Sequence, residues 1–276
     1  MGEGVAKNRS LMTGTYVYCL VAAPRRPPLR RARQGLAGMG PVRLLEVNEK
    51  KPRGHFSAWL VVADAPLDRY GEAAINRGLS DLDWVSRAAV AHESVIESFV
   101  AAPAVLPMKL FTIFASDERA RDHVQGQSAR INSLIRRLAN HQEWGLRVVL
   151  DRTDAANTAR PGTHVKQAKT EISGRSSLVQ KKTARDRSAE LARRAQETVA
   201  GLFDRLSEHA AKSKRRAASE LPVQGGPLLL DAAFLVAARK AARFRKVVGR
   251  EARTLWRQGY LLTLTGPWPP YTFVQD

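Results

Sequence analysis

The sequence predicts an α+β protein of two domains. The first is a ferredoxin-like antiparallel sheet with helices over residues 1–151. A linker follows at 152–172, then a smaller α+β domain with long helices and a Pro/aromatic tail over 173–276. Three observations predict this. Apolar runs rich in β-branched and aromatic residues alternate with helix-period segments in the order β-ββ-α-β-α-β, which sets two helices against one mostly antiparallel sheet. Residues 152–172 are polar and aperiodic, as a linker is. A second set of helix and strand patterns follows, and a chain of 276 residues is long enough for two ordinary domains.

Thr15–Ala22 opens the order as a buried strand, being rich in β-branched and aromatic residues. Ala23–Pro41 is a loop, because its prolines and glycines sustain neither element. Val42–Val47 and His55–Ala63 form a hairpin around the turn residues Asn48, Pro52 and Gly54. Leu82, Val85, Ala89, His92, Ile96 and Phe99 fall on one helical face, with Asp81 or Ser80 as cap. Val105–Phe114 is a strand whose Pro107 suits an edge. Ser116 opens a helix carrying Ile131, Leu134, Ile135 and Leu138, and Glu143–Asp151 is the last strand of the first domain. In the second domain a long helix spans about 178–211, with the seam Leu191, Ala195, Val199, Leu202, Phe203 and Leu206. The strands 212–220, 228–237 and 260–265 follow, with a helix marked by Ala241, Phe244, Val248, Ala252 and Leu255.

Charge and composition exclude several classes. Lys and Arg number 45 against 26 Asp and Glu, a net charge of +19 that favours polyanions or acidic protein partners. One cysteine, Cys19, excludes a disulfide-stapled scaffold and points to a reducing cytoplasm. No apolar run is long enough for a transmembrane helix, and Met1–Leu11 lacks the apolar core of a signal peptide.

Catalytic signals are scarce. There is no nucleophile elbow, no P-loop and no dinucleotide fingerprint. Gly35, Gly38 and Gly40 lie in a Pro/Arg loop, which is not the strand–helix context of a phosphate cradle. Among His55, His92, His123, His141, His164 and His209, no pair has the i, i+4 spacing of a metal helix. His92, beside Glu93 and near Glu97, lies on an apolar face and reads as a core histidine, and Cys19 reads as an inert core thiol. No catalytic, metal or cofactor residue is expected.

Basic side chains cluster at Arg25, Arg26, Arg30, Arg31 and Arg33, and again at Lys212, Lys214, Arg215 and Arg216. They stud the last helix at Arg239, Lys240, Arg243, Arg245, Lys246, Arg250, Arg253 and Arg257. These are either a solvated face or a polyanion site. Arg53–Trp59 faintly resembles the aromatic strand motif of RNA-recognition modules, which supports a nucleic-acid-binding alternative. Within the tail, Gly266–Pro270 is held extended by its prolines. Trp268, Pro269, Pro270, Tyr271 and Phe273 are either a protein-interface anchor or a strap packed on its own domain.

Four segments in order make the chain resemble the gas vesicle protein family GvpL/GvpF. They are Tyr16-Val-Tyr; His92-Glu93 with Val105-Leu-Pro-Met-Lys-Leu-Phe-Thr-Ile-Phe114; Glu143-Trp144-Gly145-Leu-Arg-Val148 with Ser173-Gly174-Arg175; and Leu262–Phe273, whose Gly-Pro-Trp-Pro-Pro-Tyr is the most specific element. The chain departs from many members at Lys109-Leu110-Phe111-Thr112 and after Arg175, where Ser176-Ser177-Leu178 lacks the usual aromatic. The resemblance implies an accessory or minor structural protein of gas vesicles in the cytoplasm, acting in assembly. Its implied partners are the major shell protein and other accessory gas vesicle proteins. It implies no enzymatic activity, no cofactor and no membrane, and it carries His92-Glu93 over as a structural feature.

Overall fold

The computed structural model describes residues 12–29, 35–47, 56–150, 174–217 and 226–275, with side chains in the long helix described from residue 185 onward. The expected linker, Arg30, Arg31, Arg33, Arg53, His55 and His164 lie outside the described residues. The chain divides into two compact units, Met1–Gln142 with Pro267–Asp276, and Glu143–Gly266. The expected boundaries differ on two counts. The strand placed last in the first domain belongs to the second sheet, and the Pro/aromatic tail returns to the first unit.

In the first unit, β1 (Thr13–Ala23), β2 (Arg43–Glu46), β3 (Ser57–Pro66) and β4 (Ala104–Pro107) form a sheet in the order β2-β3-β1-β4. All three pairings are antiparallel, the strand order and direction of a ferredoxin-like sheet. Where that fold has its first helix, between β1 and β2, the described residues 24–29 and 35–42 hold no helix, and Gly38 adopts φ +79°. The second crossover is helical: α1 (Leu67–Tyr70), α2 (Glu72–Gly78) and α3 (Leu82–Glu97). Of the two cap candidates, Ser80 and Asp81, it is Asp81 that caps α3, accepting from the Asp83 and Trp84 amides. The buried face of α3 is turned slightly from the expected one. Ala88, His92, Val95 and Ile96 are buried, whereas Leu82 is 79% exposed.

The expected strand Val105–Phe114 is two strands. Pro107 ends β4, the chain turns at Lys109–Thr112 with Phe111 at φ 63°, and β5 (Ile113–Phe114) rejoins β1. The expected second helix is also two: α4 (Asp117–Gly126), capped by Ser116, and α5 (Ser128–Leu138). They break at Gln127, just past Gly126, a residue with poor helix propensity.

A bulge in β1 organises this core. Its pairing with β3 shifts between Val17 and Cys19, so Tyr18 is the extra residue. Plain alternation would put Cys19 and Val21 on the face opposite Tyr16 and Tyr18. The bulge brings all four into one cluster with Ala88, Val95, Ile96 and Phe99 of α3 and its C-terminal turn.

In the second unit, β6 (His141–Leu150), β7 (Lys212–Arg215), β8 (Leu228–Ala237) and β9 (Tyr260–Trp268) run in the order β7-β8-β6-β9. Strict alternation sets the core. Trp144, Leu146 and Val148 of β6 and Leu230, Ala232, Phe234 and Val236 of β8 share one cluster. Facing them are Ala195, Val199, Leu202 and Leu206 of α6 (Gly174–Ser207), and Phe244, Val247, Val248 and Leu255 of α7 (Ala241–Trp256). The expected seam of α6 holds except at Leu191, which is exposed.

The motif Glu143-Trp144-Gly145 has a physical reading in this sheet. Trp144 enters the helical core. Glu143 and Asp231 are buried carboxylates served by Arg216, whose Nε lies 2.8 Å from Asp231 Oδ1 and whose Nη1 lies 4.0 Å from Glu143 Oε1. A Cβ at Gly145 would stand 3.2 Å from the Arg216 guanidinium and 2.8 Å from Thr265 Oγ1, so glycine leaves room for the arginine.

Candidate functional site

Three of the four resembling segments converge in the first unit. A cleft of about 710 Å³ runs past the β4 edge, with α3 on one side and α4–α5 on the other. Its lining includes His92 and Glu93, Met108 and Lys109, and Tyr271 of the tail.

His92 pins this region. Its Nε2 lies 3.1 Å from the Met108 carbonyl, which only accepts, so Nε2 carries the proton. Nδ1 then accepts from the Tyr16 hydroxyl at 2.7 Å, and Tyr16 Oη in turn accepts the Phe111 amide at 3.3 Å. The turn with positive φ at Phe111 is thus tied to β1 and α3 through one imidazole. Tyr18 stacks on the ring at 5.6 Å. Burial holds His92 below the ordinary histidine value and pushes Tyr16 well above the ordinary tyrosine value. Burial also pushes Tyr18 up to about 12, although the Leu36 amide donates to its hydroxyl. Both ring nitrogens of His92 are engaged, so its chemistry is that of a neutral structural bridge. On the rim, partial burial and the neighbouring Glu97 raise Glu93.

The tail residues divide sharply. Pro269 and Pro270 are buried, and Phe273 is 1% exposed, its carbonyl accepting from Arg137 Nη2 at 2.8 Å. Tyr271 packs against the first unit's core and is half-buried. These four hold the tail down as a strap. Trp268, 36% exposed, is the residue of the expected anchor that a partner can reach most readily.

Cys19 is fully buried and its thiol is pushed well up by desolvation. We expect no reaction with a thiol-specific disulfide reagent under native conditions and one equivalent after unfolding. Rapid native labelling would show that β1 opens. Among the described residues, no group of three metal-ligating side chains exists. Of the aromatics in the segment that resembles an RNA-recognition strand, Trp59 is 5% exposed inside the sheet and cannot stack a base, and Phe56 is half-buried. Within the basic cluster at 212–216, Arg216 pairs with Asp231 and the Arg215 guanidinium lies over the Phe203 ring at 4.6 Å; Lys212, Lys214 and Arg215 are exposed. The sequence reading missed a second ionic centre, in which Asp117 accepts from Arg43 and from the Thr15 hydroxyl at 2.8 Å. Hydrogen bonding by Arg43 holds Asp117 below the usual carboxylate range. A separation of 74 residues gives a sequence reading nothing with which to pair Arg43 and Asp117.

Residues 14–275 match the family described as gas vesicle synthesis protein GvpL/GvpF. The chain is 29% identical over 261 residues to gas vesicle protein L of Streptomyces sp. (strain CB03234), covering 94% of this chain and 91% of that one. Its fold is similar to the crystal structure of GvpF from Anabaena sp. PCC7120, with a TM-score of 0.63 at 18% identity, covering 96% and 97% of the two chains. It is also similar to GvpF from Microcystis aeruginosa, with a TM-score of 0.60 at 17% identity, covering 95% and 99%.

Proposed function

The chain belongs to the gas vesicle synthesis protein GvpL/GvpF family, and from that premise we propose that it is a non-catalytic assembly protein that binds the major shell subunit and other gas vesicle proteins in the cytoplasm. Its role is a gas vesicle one. Among the described residues, no helix is long and apolar enough to cross a membrane. The observation that carries the assembly reading is β9, which lies at the edge of the second sheet. Leu261 is 37% exposed, and Thr263 and Thr265 are exposed beside it. An apolar shell subunit with unpaired strand edges aggregates if those edges meet early. An edge strand with a mixed apolar and hydroxyl face gives such a subunit a temporary pairing partner. The buried Cys19 and the doubly engaged His92 support binding over catalysis.

The test is co-expression with the major shell protein, capture through this chain, and washing at low and high salt. The wild-type protein is expected to retain the shell subunit through high salt. Leu261→Lys places a charge on the edge and is expected to abolish retention. Trp268→Ala, if Trp268 anchors the partner, weakens binding by about 2 kcal/mol or more. Retention unchanged by Leu261→Lys in a folded protein removes β9 as the docking edge. Retention unchanged by Trp268→Ala makes the whole tail a strap.

A further inference from the structure

The last helix carries a feature that the assembly reading does not use. Arg243, Lys246, Arg250, Arg253 and Arg257 recur at spacings of 3, 4, 3 and 4, and all five are exposed. That spacing keeps them in one stripe, on the side of α7 away from Phe244, Val248 and Leu255. At 1.5 Å per residue the stripe is about 21 Å long. Among the described residues the helix makes one ion pair, Glu251 with Arg205 at 2.8 Å, and it uses none of the five. Like charges at these spacings repel along a helix, so the bare stripe opposes the helix that carries it. The helix is nonetheless held firmly by its buried face.

We propose that this stripe is the docking surface for an acidic helical segment of another protein. The charge is complementary, and so is the geometry. A helix with carboxylates at the same 3, 4 spacing has the same rise between charges, so its acidic stripe meets the basic one in register along the whole length. A single-stranded nucleic acid needs aromatic platforms interleaved with the cations along its path. Here Trp256, 54% exposed at the final residue of α7, is the one aromatic exposed on this helix, and it sits beside the stripe's end. There it supplies a single apolar contact for a partner helix. The proposal does not depend on β9 or on the identity of the shell subunit.

Fluorescence anisotropy on the full chain with three labelled probes decides it. The first is a helical Ala/Gln peptide carrying glutamates at spacings of 3, 4, 3 and 4. The second has the same composition with its glutamates in one block. The third is an oligo-dT of equal charge. The spaced peptide is expected to bind about tenfold more tightly than the block peptide, and Arg250→Glu with Arg253→Glu to lose that preference. Lys246→Gln with Arg250→Gln, which only neutralises, is expected to weaken the spaced peptide by a smaller factor while circular dichroism stays unchanged. Equal binding of the two peptides overturns the proposal, since charge alone would then suffice. Tighter binding of oligo-dT than of the spaced peptide also overturns it, in favour of a nucleic-acid partner. So does binding unmoved by the charge reversal.

Discussion

His92→Ala is expected to destabilise the protein by about 3–4 kcal/mol, measured as the loss in urea unfolding free energy. Two effects add. The imidazole is 4% exposed and stacked on Tyr18, so its removal leaves a cavity in a close-packed cluster. The Tyr16 hydroxyl and the Met108 carbonyl also lose their shared partner. His92→Gln keeps a donor and an acceptor and is expected to cost about half as much. A cost for His92→Ala well under 1 kcal/mol would mean that the bridge holds nothing together.

The pH dependence has a definite sign. An unfolded histidine titrates near 6.5, and burial holds His92 lower in the fold. Between those two values the unfolded chain binds more protons than the folded one, so stability rises with pH through that window. The contribution is complete above about 6.5 and is lost as acidification proceeds below it. Glu93 acts in the opposite sense, because burial raises it above the ordinary carboxylate value. Asp117 is held below the ordinary value, so its contribution fails only at lower pH. Both are common to wild type and His92→Gln. The wild type is therefore expected to lose more stability than His92→Gln between pH 7.5 and 5.5; parallel losses would assign the titration elsewhere.

Arg216→Met is expected to cost more than Asp231→Ala, about 3 kcal/mol against about 1–2 kcal/mol. The asymmetry comes from exposure. The Asp231 side chain is 5% exposed and that of Arg216 is 35% exposed. Removing the arginine strands a buried carboxylate whose remaining cation, Arg147, is half exposed and 3.4 Å away, and it also takes a cation from the buried Glu143. Removing the carboxylate leaves a guanidinium that still reaches water. Equal costs, or the reverse order, would mean that the carboxylates rather than the arginine organise this sheet.

The fold was legible where a pattern was local. Ser116 and one of the two cap candidates at the start of α3 were readable, an apolar run declared Leu228–Ala237, and the helical period declared α7. What stayed hidden depended on distant partners. Glu143–Asp151 reads as a strand in either domain, because only its pairing with β8 and β9 assigns it. The tail's division into buried Phe273 and exposed Trp268 depends on which slots the first unit offers, and spacing carries no information about that. The bulge at Tyr18 was invisible for a further reason: every residue from Gly14 to Ala23 is buried, so no polar position marks the change of face. His92 was recognisable as core from its helical face, yet its ties to Tyr16 and Met108 join segments 76 and 16 residues away.

The return of Pro267–Asp276 to the first unit sets an order of events on the ribosome. Strands β1 to β4 and helices α1 to α5 are made first, but the segment carrying Tyr271 and Phe273 follows only after the whole second unit. At about 5–20 residues per second, the nascent first unit waits on the order of ten seconds with its Phe273 slot unfilled. Through that interval the cleft beside His92 lacks the wall that Tyr271, Val274 and Gln275 give it in the finished protein, and whatever meets the nascent chain then meets a wider opening.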